Sequence, residues 1–301
     1  MNRQIRTTTT KLPRAMATEL TVNDGAIAFL GPAGTFSHAA VLAVFGSDVE
    51  LLDCTTIDDV FGAVQEDRAR YGVVPVENST EGAVNNTLDC LVETALKIVA
   101  EVVVPIEHHF MVRSGTDCAN LQKVVSHKQS LAQCRKWLMA NWPQLRQEEA
   151  SSNAEAARIV SQQDGVAAIA GRMAADTYGL EIVSSAIQDQ CNNSTRFLVM
   201  GKHGRLPSGR DKTSTLIYTE NRPGALFRVL EPFEKHQVSL TRIETRPSRK
   251  EIWDYVFFVD FEGHESDAAV QQVLSQLGGR TVEVKLLGSY PVAEASTARQ
   301  A

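Results

Sequence analysis

Ala26-Ile27-Ala28-Phe29-Leu30-Gly31-Pro32-Ala33-Gly34-Thr35-Phe36-Ser37 runs from an apolar stretch through a glycine-containing turn into residues with helical spacing. A short apolar run bounded by a Gly/Pro turn predicts a buried strand. The same order returns three times. Residues 72–76 precede Glu77-Asn78-Ser79-Thr80-Glu81-Gly82, residues 123–125 precede Ser126-His127-Lys128-Gln129-Ser130, and residues 166–170 precede Gly171. Strand alternating with helix predicts parallel α/β sheets, whose ligands bind beyond the carboxyl ends of the strands. The four polar loops are therefore the candidate site.

Helical spacing supports this reading. Over 130–141 the apolar Leu131, Cys134, Leu138 and Met139 share a face, and over 153–163 Ala156, Ala157, Ile159 and Val160 do the same. Asn153, after two serines and before Ala-Glu-Ala, is a candidate N-cap. The pattern breaks at residues 201–212 (GKHGRLPSGRDK), which are rich in glycine and basic residues and read as a linker. Beyond it lie a strand over 213–219, a helix over 224–237, and strands over 239–244 and 255–261. A helix over 266–277 and a strand over 281–287 follow. That βαββαβ order is the ferredoxin-like split motif. Pro232 conflicts with the first of these helices. The apolar Leu226, Val229, Leu230 and Phe233 keep helical spacing, so a kinked helix is expected.

A chain of 301 residues exceeds one comfortable core and predicts two or three lobes. Thirty basic against 36 acidic residues, a net charge of −6, argue against nucleic acid as a partner, and no basic run interleaved with aromatics reverses that. Cys54, Cys90, Cys118, Cys134 and Cys191 are odd in number and irregularly spaced. They form neither a Cys-x-x-Cys pair nor a Cys/His metal set, and read as reduced thiols of a cytoplasmic protein. No apolar run is long enough to span a membrane. Residues 1–18 are basic, Thr-rich and lack an apolar core, and the segment 1–24 reads as a disordered lead-in.

Taken together, several segments resemble the prephenate dehydratase family. They are Gly31-Pro32-Ala33-Gly34-Thr35-Phe36-Ser37, Val74-Pro75-Val76-Glu77-Asn78-Ser79-Thr80-Glu81-Gly82, Ser126-His127-Lys128-Gln129-Ser130-Leu131-Ala132-Gln133 and Asn193-Ser194-Thr195-Arg196-Phe197. Thr-Arg-Phe is similar to the family's active-site signature. Asn221-Arg222-Pro223-Gly224-Ala225-Leu226 and Glu244-Thr245-Arg246-Pro247 resemble the phenylalanine-binding motifs of its regulatory ACT domain. The resemblance runs from about residue 26 to 291 in family order. Lys128, Ser130 and Thr245 depart from the family's frequent Pro, Ala and Ser, changes at motif edges that could tune affinity.

The resemblance implies a type 2 periplasmic-binding-protein-like catalytic region over 25–201, with two α/β lobes that the chain joins by crossing twice. Lobe one is expected to combine 26–103 with 186–200, and lobe two to hold 105–185. A linker at 202–212, a ferredoxin-like ACT domain over 213–291 at a distance from the cleft, and a tail at 292–301 complete the expectation. The implied activity is dehydration with decarboxylation of prephenate to phenylpyruvate, without cofactor or metal, inhibited by L-phenylalanine. The implied assembly is a homodimer or homotetramer. The family's bacterial members often carry a chorismate mutase domain in front, which the residues before the first strand are too few to form.

The chemistry asks for two bound anions, help for a departing hydroxyl, and exclusion of water. Thr195 is the candidate hydrogen-bond donor to that hydroxyl. Arg196, on the opposite face of an extended segment, either clamps a carboxylate or braces its strand against an acid. Phe197 completes the signature. Asn78 and Ser79 are further catalytic candidates. Glu77 is an alternative acid if burial raises its pKa, although an acceptor holding its own loop is the better reading. Thr35, Phe36 and Ser37 at a helix start suit a carboxylate, with Thr80, Ser126, Gln129, Gln133 and Asn193 as further substrate contacts. His127 in its loop reads as structural. Asn221, Pro223, Gly224, Ala225, Leu226, Glu244, Thr245, Arg246 and Pro247 are the expected effector contacts. A solute-binding sensor of the same fold, an arogenate dehydratase and a catalytically dead regulatory subunit are the competing readings. The intact Thr-Arg-Phe and the absence of a signal peptide favour the first assignment.

Overall fold

A computed structural model describes residue 20 and residues 25–219, 222–247, 255–279, 281 and 283–293. Apart from residue 20, the expected lead-in at 1–24 lies outside the described residues, as do Asn221 and the tail beyond 293.

Lobe one opens with β1 (Ile27–Leu30), α1 (Phe36–Phe45), β2 (Leu51–Cys54) and α2 (Ile57–Gln65). It continues with β3 (Tyr71–Asn78), β4 (Gly82–Ala83), α3 (Asn85–Glu93) and β5 (Lys97–Pro105). Lobe two contains β6 (His109–Arg113), β7 (Lys123–His127), α4 (Lys128–Gln133), α5 (Arg135–Asn141) and β8 (Arg146–Ala150). It ends with α6 (Asn153–Gln162), β9 (Val166–Ala170), α7 (Arg172–Tyr178) and β10 (Leu180–Ser184). β11 (Ser194–Gly201) then returns to lobe one, giving sheet orders β2-β1-β3-β11-β5 and β10-β6-β9-β7-β8. Both lobes belong to one type 2 periplasmic-binding-protein-like architecture.

The sheets are mixed rather than wholly parallel. β1, β2 and β3 run parallel, as do β7, β8 and β9, but β11 pairs antiparallel with both β3 and β5. The cause is the double crossing: β5 carries the chain out of lobe one and β11 carries it back alongside. Ser194 pairs with Pro105, and Ile106 donates its N–H to the Asn193 carbonyl at 2.9 Å, so the two crossings form one hinge. The helix expected over 130–141 is broken at Cys134, whose φ/ψ of −110°/13° ends α4. The Asp189 carboxylate accepts from the N–H groups of Lys136 and Trp137, satisfying the start of α5. Ser152, not Asn153, caps α6.

The C-terminal domain contains β12 (Asp211–Thr219), α8 (Ala225–Lys235), β13 (Leu240–Pro247), β14 (Tyr255–Glu262), α9 (Ala268–Gly278) and β15 (Glu283–Pro291), in the ferredoxin-like order β13-β14-β12-β15. Pro232 is accommodated within α8, on its buried side. Alternation along the strands gives this sheet two apolar faces. Ile217, Phe257 and Val259 pack with Val229, Phe233, Val270 and Val273 of the two helices. Leu216, Tyr218, Val256, Phe258, Leu287 and Tyr290 instead share a core with Leu91, Leu96, Ile98 and Leu198 of lobe one.

The domain is therefore docked on lobe one, not held at a distance. A Cβ at Gly288 would collide with the Ile98 carbonyl, and Lys285 Nζ donates to the carbonyls of Leu91, Val92 and Thr94. The linker is pinned too: the Asp211 carboxylate accepts from Ser208 and Gly209, and His264 Nε2 lies 3.0 Å from the Arg205 carbonyl.

Candidate active site and effector site

Thr195 and Asn78 face each other across β11 and β3, with Asn78 Nδ2 donating to Thr195 Oγ1 at 2.8 Å. The Asn78 amide orientation is fixed locally, because its Oδ1 accepts from the N–H groups of Thr80 (2.9 Å) and Glu81 (3.1 Å). With its oxygen accepting from Asn78, the Thr195 hydroxyl keeps its own hydrogen for another acceptor. Ser79 Oγ donates to the Asn192 carbonyl and accepts from the Ser194 N–H, tying the β3–β4 loop to the returning crossover.

A cavity of about 270 Å³ opens between the lobes, lined by Thr80 and Glu81 on one side and Gln129, Gln133 and Lys136 on the other. Gln188, Asp189, Gln190 and Asn193 close it along the crossover, while Thr195, 8 % exposed, sits two residues beyond Asn193 without lining it. A larger groove of about 530 Å³ between α2 and α3 is lined by Asp58, Asp89 and Glu93. That lining repels an anion and contains none of the donors expected from the sequence.

Several expected contacts are occupied internally. Thr35 Oγ1 donates to the Leu30 carbonyl and accepts from His38 N–H as the cap of α1. Ser126, fully buried, donates to the Ile169 carbonyl at 2.6 Å. Asn153 Oδ1 accepts from His127 N–H and Ser130 Oγ and lies 3.0 Å from Ser126 Oγ, holding the third loop from the neighbouring helix. Phe36 packs edge-on to His108 and against Gly171, bridging the lobes. Ser37 is buried at the start of α1, and Phe197 is a core residue of lobe one.

Sequence reasoning missed His108. Its Nε2 lies 2.9 Å from Gln133 Oε1 and its N–H donates to Gln188 Oε1, while the buried Nδ1 has no protein partner. Burial lowers its pKa, with the Gln133 hydrogen bond opposing, so the ring is neutral and turns the Gln133 amide. Its spacing to Gln133 in the chain gave no signal, since His in a strand-flanking segment is usually structural.

Arg196 points away from Thr195, as period-2 geometry requires. Its Nε donates to Glu101 (2.6 Å), Nη1 to Asp260 (2.7 Å) and Nη2 to the Tyr290 hydroxyl (2.9 Å). Glu77 faces the same way and pairs at 3.1 Å with Arg242 of β13, a charge contact without aligned hydrogen-bond geometry. Its side chain is 39 % exposed and lies on the face of β3 turned away from Thr195.

Gly224 precedes α8 with φ/ψ of 77°/10°, the left-handed region, and no side chain caps this start. Leu226 and Phe227 are exposed beside it, as are Ile243 and Tyr255 on the nearby strands, and Pro223 and Ala225 flank the turn. Along β13, Thr245 and Pro247 are exposed while Glu244 and Arg246 turn inward. Glu244 approaches Arg242 at 3.7 Å, and Arg246 binds Asn85 and, at 2.8 Å, Asp89 of α3. Among the described residues no group of His, Cys, Asp or Glu can hold a metal ion, and no helix is long and apolar enough to cross a membrane.

A two-lobed α/β cleft with a docked ferredoxin-like domain defines a cleft protein of the α/β class with an added C-terminal module. Residues 27–205 match the profile of the prephenate dehydratase family and residues 213–279 that of the ACT domain. The chain belongs to the prephenate dehydratase family. It is 48 % identical to a bifunctional chorismate mutase/prephenate dehydratase of Aquifex aeolicus, over 89 % of this chain and 74 % of that protein. It is 35 % identical to a prephenate dehydratase of Mycobacterium bovis, over 91 % and 89 %. Its fold superposes on a prephenate dehydratase from Arthrobacter aurescens in complex with L-Phe, with a TM-score of 0.82, 33 % identity, and 89 % and 90 % coverage. A structure described as GqqA, a novel type of quorum quenching acylase, matches with a TM-score of 0.82 at 28 % identity, over 91 % and 100 %.

Proposed function

We propose that this protein is a prephenate dehydratase that converts prephenate to phenylpyruvate in the interlobe cleft and is inhibited by L-phenylalanine at the C-terminal domain. The observation that carries the reading is the Asn78–Thr195 pair. An amide locked by its own loop accounts for the Thr195 lone pair and leaves the hydroxyl hydrogen for the substrate's departing oxygen. The ring C–O bond breaks as the bond to the ring carboxyl breaks. The carboxyl leaves as carbon dioxide, its electron pair completes the aromatic ring, and the hydroxyl takes a solvent-derived proton and leaves as water. Threonine supplies a hydrogen bond rather than an ionisable acid. Gln129, Gln133, Thr80 and Asn193 supply neutral polar contacts for the substrate, and Lys136 a cation at the rim.

The fold alone does not select this reaction, since a match of the same shape bears an acylase description. Incubating the protein separately with prephenate and with arogenate, and following phenylpyruvate against phenylalanine, tests the reading. Phenylpyruvate formed from prephenate is the expected result, and its absence overturns it.

The effector reading rests on the uncapped start of α8 behind Gly224, where N–H groups face an amino-acid carboxylate. The exposed Leu226, Phe227, Ile243 and Tyr255 suit coverage by a second copy, giving a homodimer or homotetramer. Inhibition requires L-phenylalanine to bind a less active arrangement more tightly, so substrate weakens its binding by the same factor. Gly224→Val forces a β-branched residue into positive φ and is expected to remove inhibition while keeping basal turnover. Calorimetry without binding of L-phenylalanine to the parent, or undiminished inhibition of the variant, refutes this assignment. A cytoplasmic location accords with five free cysteines.

A further inference from the structure

The C-terminal domain reaches the catalytic strand from behind, and does so where its pairing with β3 loses register. In the β11–β3 pairing Thr195 lies opposite Asn78 and Arg196 opposite Glu77, but Phe197 lies opposite Pro75. One residue of β3, Val76, is skipped one pair beyond the catalytic pair, and Pro75 has no N–H to donate there. A bulge of this kind bends a strand and re-aims its side chains. The β5 edge stays in register from Ser194 to Val199, so the looseness is confined to the β3 edge, where Arg196 adds a side-chain anchor.

Arg196 is held by a buried cluster that the cleft does not share. Asp260 on β14 accepts from Nη1, Tyr290 on β15 accepts from Nη2, and Glu101 on β5 accepts from Nε. Ser214 on β12 donates to the other Asp260 oxygen at 2.6 Å and lies 2.6 Å from the Tyr290 hydroxyl. Lys212 binds Glu101 at 2.8 and 3.1 Å. Two cations thus face two anions, with side-chain exposures of 13 % for Arg196 and Lys212, 2 % for Glu101 and 7 % for Asp260. Burial opposes the Arg196 charge, yet the oxygens of Tyr290, Asp260 and Glu101 outweigh it and keep the guanidinium protonated. Burial likewise raises the pKa of the Tyr290 hydroxyl, which stays a neutral phenol.

We propose that Asp260 and Tyr290 of the C-terminal domain are positioning residues for the dehydration: by fixing Arg196 they set the place of the adjoining Thr195 hydroxyl. They touch neither the cavity lining nor Thr195 itself. The inference rests on the assignment of Thr195 to the departing hydroxyl. A displacement of about 1 Å at a reacting group costs on the order of a hundredfold in rate. Losing one of three anchors should cost less. Tyr290→Phe removes a single hydroxyl and is expected to lower kcat about tenfold, with KM within about twofold of the parent. Asp260→Asn, which also removes a charge, is expected to lower kcat further, again with KM held.

Thr213→Val is the control for mere loss of stability. Thr213 is fully buried in the same sheet and bonds the Gly263 carbonyl and Ser289, with no link to Arg196. It should lower the melting temperature comparably and leave kcat unchanged. A methyl-NMR spectrum of threonine-labelled protein supplies a readout without turnover, the Thr195 methyl being assigned by its loss in Thr195→Ala. That resonance should shift in Tyr290→Phe and Asp260→Asn and stay fixed in Thr213→Val. Unchanged kcat and an unmoved Thr195 methyl in both variants, or an equal loss of kcat in Thr213→Val, overturns the proposal. If the parent forms no phenylpyruvate, the assignment of function fails, while the methyl resonance still decides whether Asp260 and Tyr290 place Thr195.

Discussion

The two faces of β11 present opposite solutions to holding a polar group. On the cleft face Thr195 is supported by one neutral amide, itself held by two backbone N–H groups. On the other face Arg196 joins a dense cluster of charged and polar groups drawn from lobe one and three strands of the C-terminal domain. The cleft face keeps a donor unassigned, which lets it act on a ligand. The far face leaves little unassigned, which makes it a brace. A single residue step along the strand separates the two because side chains alternate. The signature Thr-Arg-Phe thus contains three jobs in sequence: a donor, an anchor, and a core residue.

Breaking the brace should produce the largest effect in the molecule. Arg196→Met keeps much of the side-chain volume but leaves Asp260 and Glu101 facing one cation instead of two. Removing one partner of a buried ion pair costs about 3–5 kcal/mol. The urea midpoint is expected to fall accordingly, and lobe one and the C-terminal domain should no longer unfold in a single transition. Denaturation followed by far-ultraviolet circular dichroism, together with differential scanning calorimetry, checks this. A midpoint within error of the parent would mean that the buried charges do not brace the strand.

On the cleft face the effect should be kinetic. Thr195→Ala removes one hydroxyl that stabilises developing charge, and such a loss lowers kcat by about a hundredfold to a thousandfold. Stability should fall less than in Arg196→Met, by about 1–3 kcal/mol, because one neutral donor, Asn78 Nδ2, loses a partner. Turnover near the parent value would remove Thr195 from the mechanism. The contrast between the two variants, one thermodynamic and one catalytic, is what the two-face description demands.

How much of this was legible beforehand follows from the range of each interaction. The strands before the polar loops and the βαββαβ order of the last domain were readable, because apolar runs and turn residues are local signals. The antiparallel return of β11 was not, since it depends on both crossings sharing one hinge. The period-2 argument put Arg196 opposite Thr195 but left its partner open between a carboxylate ligand and a structural acid. Asp260 and Tyr290 lie 64 and 94 residues further on, and nothing local ties them to Arg196. Thr35 and Ser126 carried the right chemistry for ligand contacts, and only the folded chain shows the carbonyls that take their hydroxyl hydrogens.

The smallest expected effect separates the faces by pH. The charged cluster behind β11 contains no histidine, whereas His108 lies on the cleft side against Gln133, Gln188 and Phe36. Burial lowers the pKa of His108, and burial with the nearby Arg172 lowers that of His109. In the unfolded chain both rings titrate near the ordinary value of about 6.5. Above that value neither state binds the proton, so stability is unaffected. As the pH falls below it the unfolded chain takes up protons that the folded rings refuse, and stability drops toward their lowered folded pKa values. Each ring contributes a slope of at most about 1.4 kcal/mol per pH unit. Urea midpoints measured between pH 8 and 5 should therefore decline on the acid side, and His108→Gln should shallow the decline without abolishing it, because His109 and His38 are also shifted downward by burial. An unaltered slope in His108→Gln would place the acid sensitivity elsewhere and remove the pH contrast between the two faces.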